Sequence, residues 1–126
     1  MNEKLSIARI FYPVKTLGPG NRVGIWTTGC SRRCAGCISP ELQYYDKEKE
    51  LAVEDIVDMI HSIPHSIDGF TISGGEPFWN SIALDALIQK LVKINDDILI
   101  YTGYTLNELR QSSMPKVENI LNNCAV

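Results

Sequence analysis

Three thiols stand close together in Cys30-Ser31-Arg32-Arg33-Cys34-Ala35-Gly36-Cys37, with the spacing C-x3-C-x2-C. An iron–sulfur cubane has four irons and normally takes four cysteine thiolates. A compact loop offering three leaves one iron without a protein ligand, open to bind and activate a small molecule. A structural zinc site is the alternative. Zinc takes four ligands, usually as two close pairs, and the further candidates are Cys124, His61 and His65, none of which forms a second pair. A disulfide reading is poorer, because no signal peptide directs the chain to an oxidising compartment.

A second stretch with chemical content is Ser73-Gly74-Gly75-Glu76-Pro77. Without Cβ atoms, Gly74 and Gly75 let the backbone approach a ligand and adopt shapes barred to other residues. Carbonyls exposed there accept hydrogen bonds from an ammonium group, and Glu76 adds charge or a supporting bond. Taken alone, such a run is more often a turn than a site.

These stretches need elements to hold them. Ser6 to Val14 alternates like a strand, and Leu17-Gly18-Pro19-Gly20-Asn21 is a turn cluster. Arg22 to Thr28 is the next strand and runs into Cys30, so the cysteines follow a strand's carboxyl end, the usual place for chemistry in parallel α/β sheets. Tyr44 to Glu50 is polar and reads as a loop or short helical turn. Ile56, Val57, Ile60 and Ile63 form a helical stripe over Val53 to Ser62. Gly69 to Ser73 is a short strand, and Ser81 to Ile94 is a helix with Leu84, Leu87, Ile88, Leu91 and Val92 on one face. Asp97 to Tyr101 reads as a buried strand leading into Thr102-Gly103-Tyr104-Thr105. Thr105 and Glu108 form a capping box for the helix that follows. Pro115 suits the first turn of a last helix through Asn122, after which Cys124-Ala125-Val126 begins a further strand. Alternating strand and helix predicts a parallel sheet with helices packed on it.

The chain has 126 residues, 44% of them hydrophobic, and a net charge of −3. That length allows one domain over residues 1–126 and falls short of a full eight-stranded barrel, which needs about 250 residues. No apolar run approaches the roughly 20 residues that cross a bilayer. The charge does not suggest a nucleic-acid binder, which would show a basic face. Three clustered cysteines without a leader suit a reducing cytoplasm. Arg32 and Arg33 are most simply solvated loop charges, or they offset cluster charge and meet an acidic electron donor.

The cysteine spacing resembles the signature of the radical S-adenosylmethionine (radical SAM) enzymes. Many of those carry an aromatic residue before the third cysteine, where this chain has Gly36. Cys34-Ala35-Gly36-Cys37 is closer to the Cys-Pro-Gly-Cys form of the activating proteins of anaerobic ribonucleoside-triphosphate reductase, with Ala35 in place of Pro. Gly18-Pro19-Gly20 with Arg22, Ser39-Pro40-Glu41, Gly74-Gly75-Glu76-Pro77 and Thr102-Gly103-Tyr104 are similar to the same group. The resemblance covers Ile10 to Asn122. Relatives of that group continue with a further strand and an Asp-Gly loop, which this chain lacks.

The resemblance implies an incomplete, open parallel (β/α) barrel of the radical SAM type. It implies Cys30, Cys34 and Cys37 as ligands of a 4Fe–4S cluster whose open iron chelates SAM. Backbone from Gly36 through Cys37 to Ile38 would contact the adenine side. Ser73, Gly74, Gly75 and Glu76 would orient the methionine side, with Thr102 near it. The partners implied are a large glycyl-radical enzyme, most simply the anaerobic ribonucleotide reductase, and a low-potential electron donor such as flavodoxin. Two other readings stay open. One is a radical SAM enzyme acting on a small molecule, as the deazapurine-forming synthase does; the other is a non-enzymatic zinc or iron–sulfur module.

Overall fold

A computed structural model describes residues 3–28, 49–64, 66–74, 76–112 and 114–124, apart from the side chain of Trp79. Five strands make one sheet in the order β3-β1-β2-β4-β5. They are β1 (Lys4–Val14), β2 (Arg22–Thr27), β3 (Glu50–Ala52), β4 (Gly69–Gly74) and β5 (Ile98–Ile100). The helices are α1 (Val53–His61), α2 (Ser81–Leu91), α3 (Leu106–Gln111) and α4 (Val117–Asn123), with a 3-10 turn at Pro77–Asn80.

The sheet is mixed, which corrects the all-parallel expectation. β2, β4 and β5 are parallel, with Val23 beside Phe70 and Phe70 beside Ile98. β1 runs antiparallel to β2 because the turn through Gly18-Pro19-Gly20 is far too short for a parallel crossover, which takes about a dozen residues. β3 is antiparallel to β1, pairing Leu51 with Leu5 and Glu50 with Ser6. Its first residue closes the stretch read as a loop: three half-buried residues leave no alternation to detect. The sheet is open, with β3 and β5 as its edges among the described residues.

Paired residues of neighbouring strands point to the same face. Val23, Ile25, Phe70, Ile72, Ile98 and Ile100 face one way and are nearly solvent-free. They form one core with Val53, Ile56 and Ile60 of α1 and Leu84, Leu87, Ile88 and Leu91 of α2. α1 carries Glu54 and Asp55 in its first turn, where the helix dipole favours acids. Asn80 caps α2 by accepting from the Ala83 N–H at 3.2 Å. α2 ends at Leu91, short of the expected Ile94, and Val92 is only half-buried. Pro115 stands ahead of α4 rather than in its first turn, since Lys116 takes a left-handed conformation (φ 68°) and the helix starts after it. Cys124 is extended after α4, but it joins no strand among the described residues.

The opposite face of the sheet presents Arg22, Gly24, Trp26, Thr71, Ser73 and Leu99. At the amino ends of the parallel strands this face is closed by the turn before β2. Arg22 is wholly buried there. Its guanidinium donates to Thr71 Oγ1 (2.9 Å), to the carbonyls of Phe70 (2.7 Å) and Pro19 (3.3 Å), and to Asp97 Oδ1 (3.1 Å). Thr71 Oγ1 and Tyr101 Oη both donate to the Leu17 carbonyl, at 3.1 and 3.2 Å. Towards the carboxyl ends the face is more open: Trp26 is half-buried with the Arg9 guanidinium 5.5 Å from its ring centroid, and Phe11 is 54% exposed.

Candidate cofactor site at the carboxyl ends of the parallel strands

Three strands end side by side, and each delivers one predicted segment to the same edge. β2 ends at Thr27 opposite Gly74 of β4, and Ile72 of β4 lies opposite Ile100 of β5. The cysteine segment therefore departs next to the Gly-Gly-Glu-Pro run, with Thr102 and Gly103 one strand further on.

The departure point of β2 is fixed on both sides. Thr27 Oγ1 donates to the Ser73 carbonyl at 3.3 Å. Thr28 donates its N–H to the Ser6 carbonyl at 3.0 Å, and the hydroxyls of Ser6 and Thr28 are hydrogen-bonded to each other. Ser6 also lies opposite Glu50, where the chain returns. Cys30, Cys34, Cys37, Gly36 and Ile38 lie outside the described residues, as do Arg32, Arg33, Ser39-Pro40-Glu41, His65 and Gly75.

At the end of β4, Gly74 has φ 121°, and a Cβ built there would collide with the Thr27 backbone. The feature read as room for a ligand thus serves first to let two strands approach. Glu76 follows, and it is almost fully buried (1% exposed). Its Oε2 accepts from the Phe78 N–H at 3.0 Å, starting the 3-10 turn. Its Oε1 accepts from the Gly103 N–H at 2.7 Å. Thr102 Oγ1 lies 2.8 and 2.7 Å from the two carboxylate oxygens. The Thr102 hydroxyl in turn accepts from the Tyr104 N–H at 3.2 Å. The structure brings Ser73, Gly74, Glu76 and Thr102 together, and it makes Glu76 the link between the exits of β4 and β5.

Of the residues weighed as zinc ligands, His61 and Cys124 are described, and Cys124 lines a cavity with Tyr101 and Thr102. His61 is exposed at the end of α1. Cys124 packs half-buried against the core, and its thiol donates to the Ile120 carbonyl at 2.8 Å. Burial, and after it the nearby Asp85 charge, pushes that thiol up to about 12. Among the described residues no three His, Cys, Asp or Glu side chains gather in a metal-holding group.

A family model described as a 4Fe-4S single cluster domain matches residues 16–126. The anaerobic ribonucleoside-triphosphate reductase-activating protein of Salmonella typhi is 32% identical over 123 residues, spanning 89% of this chain and 77% of that relative. The protein of the same name from Escherichia coli (strain K12) is 31% identical over 120 residues, with 87% and 77% covered. That of Enterobacteria phage T4 is 27% identical over 109 residues, with 82% and 70% covered. The chain belongs to this family of reductase-activating, 4Fe-4S single-cluster proteins.

Family membership favours a 4Fe-4S cluster over zinc for this chain. The donor set of this family member suits such a cluster: three thiol side chains follow a strand whose last residues are anchored to both neighbours. Sequence reasoning passed over two residues that shape the edge, Ser6 and Thr27. Both are small hydroxyl residues inside strands, and neither carried a signal until its neighbour across the sheet was known.

Proposed function

We propose that this protein is a radical SAM activating enzyme that generates a glycyl radical on a partner, the anaerobic ribonucleotide reductase. The observation that carries the reading is the meeting of the cysteine-segment root, Gly74, Glu76 and Thr102 at one sheet edge. The names of the relatives support the choice of partner. Cys30, Cys34 and Cys37 would hold the 4Fe–4S cluster, and the open iron would take SAM by its amino and carboxylate groups. When bound, the cluster supplies the electron that splits SAM into methionine and a 5′-deoxyadenosyl radical, which takes a hydrogen atom from a glycine Cα of the partner.

The chain's own residues would orient and shield the reactants. Ser73, Gly74 and Gly75 offer backbone carbonyls to the methionine ammonium, backed by Glu76 and Thr102. Gly36, Cys37 and Ile38 line the adenine side. Electrons would come from a low-potential donor such as flavodoxin, as suits the reducing cytoplasm. The open sheet, with Phe11 and Tyr101 about half exposed on it, supports a protein substrate rather than an enclosed small molecule.

The experiment is anaerobic. The protein is reconstituted with iron and sulfide, then given SAM and a strong reductant, and 5′-deoxyadenosine and methionine are measured. Both products should form with the native sequence and disappear in Cys34→Ala. Addition of the reductase should then produce a glycyl radical by electron paramagnetic resonance. A loaded cluster that leaves SAM intact, with the reductase present, would refute the reading.

A further inference from the structure

We propose that Glu76 and Thr102 act as a positioning pair that sets the spacing between the exits of β4 and β5, and that neither side chain touches the ligand. The inference rests on the SAM reading above and assigns these two residues a role behind the site rather than in it.

The argument begins with the short pairing of β5. Its partners are Phe70–Ile98, Thr71–Leu99 and Ile72–Ile100, and the last backbone bond between the strands is the Tyr101 N–H to the Ile72 carbonyl, at 2.9 Å. Beyond it Ser73 and Gly74 continue beside β2 only, among the described residues. The backbone that would meet the methionine end is therefore the part of β4 without ladder support from β5. Glu76 supplies the missing rungs through its side chain.

The carboxylate is also largely engaged, with three donors directed at it. It offers about four lone-pair positions, and it receives the Phe78 and Gly103 N–H groups and the Thr102 hydroxyl, which lies within reach of both oxygens. The single Thr102 hydroxyl proton goes to the carboxylate, because the same oxygen accepts from the Tyr104 N–H. The direction of the chain is thus fixed: Tyr104 to Thr102 to Glu76. With 1% of Glu76 exposed, an incoming ammonium group would have to part the side chains and backbone packed around the carboxylate to reach it.

The test uses the anaerobically reconstituted protein and three conservative substitutions: Glu76→Gln and Thr102→Val, which keep side-chain shape, and Thr102→Ser, which keeps the hydroxyl. Iron content, SAM affinity read from the spectrum of the reduced cluster, thermal midpoint, and hydrogen exchange over residues 101–105 are measured. Glu76→Gln and Thr102→Val should each weaken SAM binding about tenfold, with iron content unchanged and faster exchange at 101–105. The double variant should be no weaker than the worse single one, because both remove the same link. Thr102→Ser should bind as the native protein does.

A Thr102→Val protein with native affinity beside a weakened Glu76→Gln protein would mean that Glu76 touches the ligand, overturning the pair. So would lowered thermal midpoints with SAM affinity intact, since the link would then be only structural. Native protein that takes up iron but never binds SAM would remove the functional reading. Exchange at 101–105 unaltered by Glu76→Gln would remove the positioning link on its own.

Discussion

Cys124 shows how one environment separates residues of the same type. Its thiol lies against the core beside Asp85, and burial, with that charge behind it, pushes its pKa up to about 12 from an ordinary value of 9.0. The neutral thiol is the form the fold favours. Its contribution to stability is complete below pH 9.0 and is lost as pH rises towards about 12. Reactivity should follow the same order. With Cys30, Cys34 and Cys37 all replaced by Ser, iodoacetamide should label Cys124 at a rate that climbs about tenfold per pH unit up to about pH 10, without levelling off. A plateau below about pH 9 would contradict the assignment. The structure leaves Cys124 half-buried, with the Ile120 carbonyl as its hydrogen-bond partner.

At the scale of elements, the clearest device is Arg22, which binds the turn before β2 to β4 and to the start of β5. Arg22→Met would leave the Phe70 and Pro19 carbonyls and the Thr71 hydroxyl short of a buried donor. Urea unfolding should report a loss of about 3 kcal/mol, and a loss below about 1 kcal/mol would show that other donors replace it. Gly69 belongs to the same device, because a Cβ there would run into the guanidinium. Nothing local announced this. A charged residue opening a strand carries no burial signal, and all its acceptors but the Pro19 carbonyl lie 48 to 75 positions away. Local patterns were legible: the apolar stripes marked α1 and α2, and the box of Thr105 and Glu108 is present, with reciprocal bonds of 2.8 and 3.1 Å. Features set by distant pairing were not. β3 exists because Lys4, Leu5 and Ser6 are available beside it. The link from Glu76 to Thr102 spans 26 positions, so the sequence showed two nearby site candidates and not their bond.

Across the whole molecule, the described core draws on β1, β2, β4, β5 and all four helices. That breadth gives the sheet a source of stability separate from metal ligation. Removing iron with a chelator should therefore leave the far-ultraviolet circular dichroism and a single cooperative urea transition in place. Collapse of that transition on stripping would show instead that the metal is part of the folding free energy, as in zinc fingers. The anchoring at Ser6 bears on the same balance. Thr28, where the chain leaves for the cysteines, and Glu50, where it returns, both rest on this one residue of β1. Bringing together the ends of a loop of about 20 residues costs on the order of 2–3 kcal/mol in chain entropy. The sheet meets that cost when it folds, so Thr28 and Glu50 are brought together by backbone pairing with β1, whatever the segment between them binds.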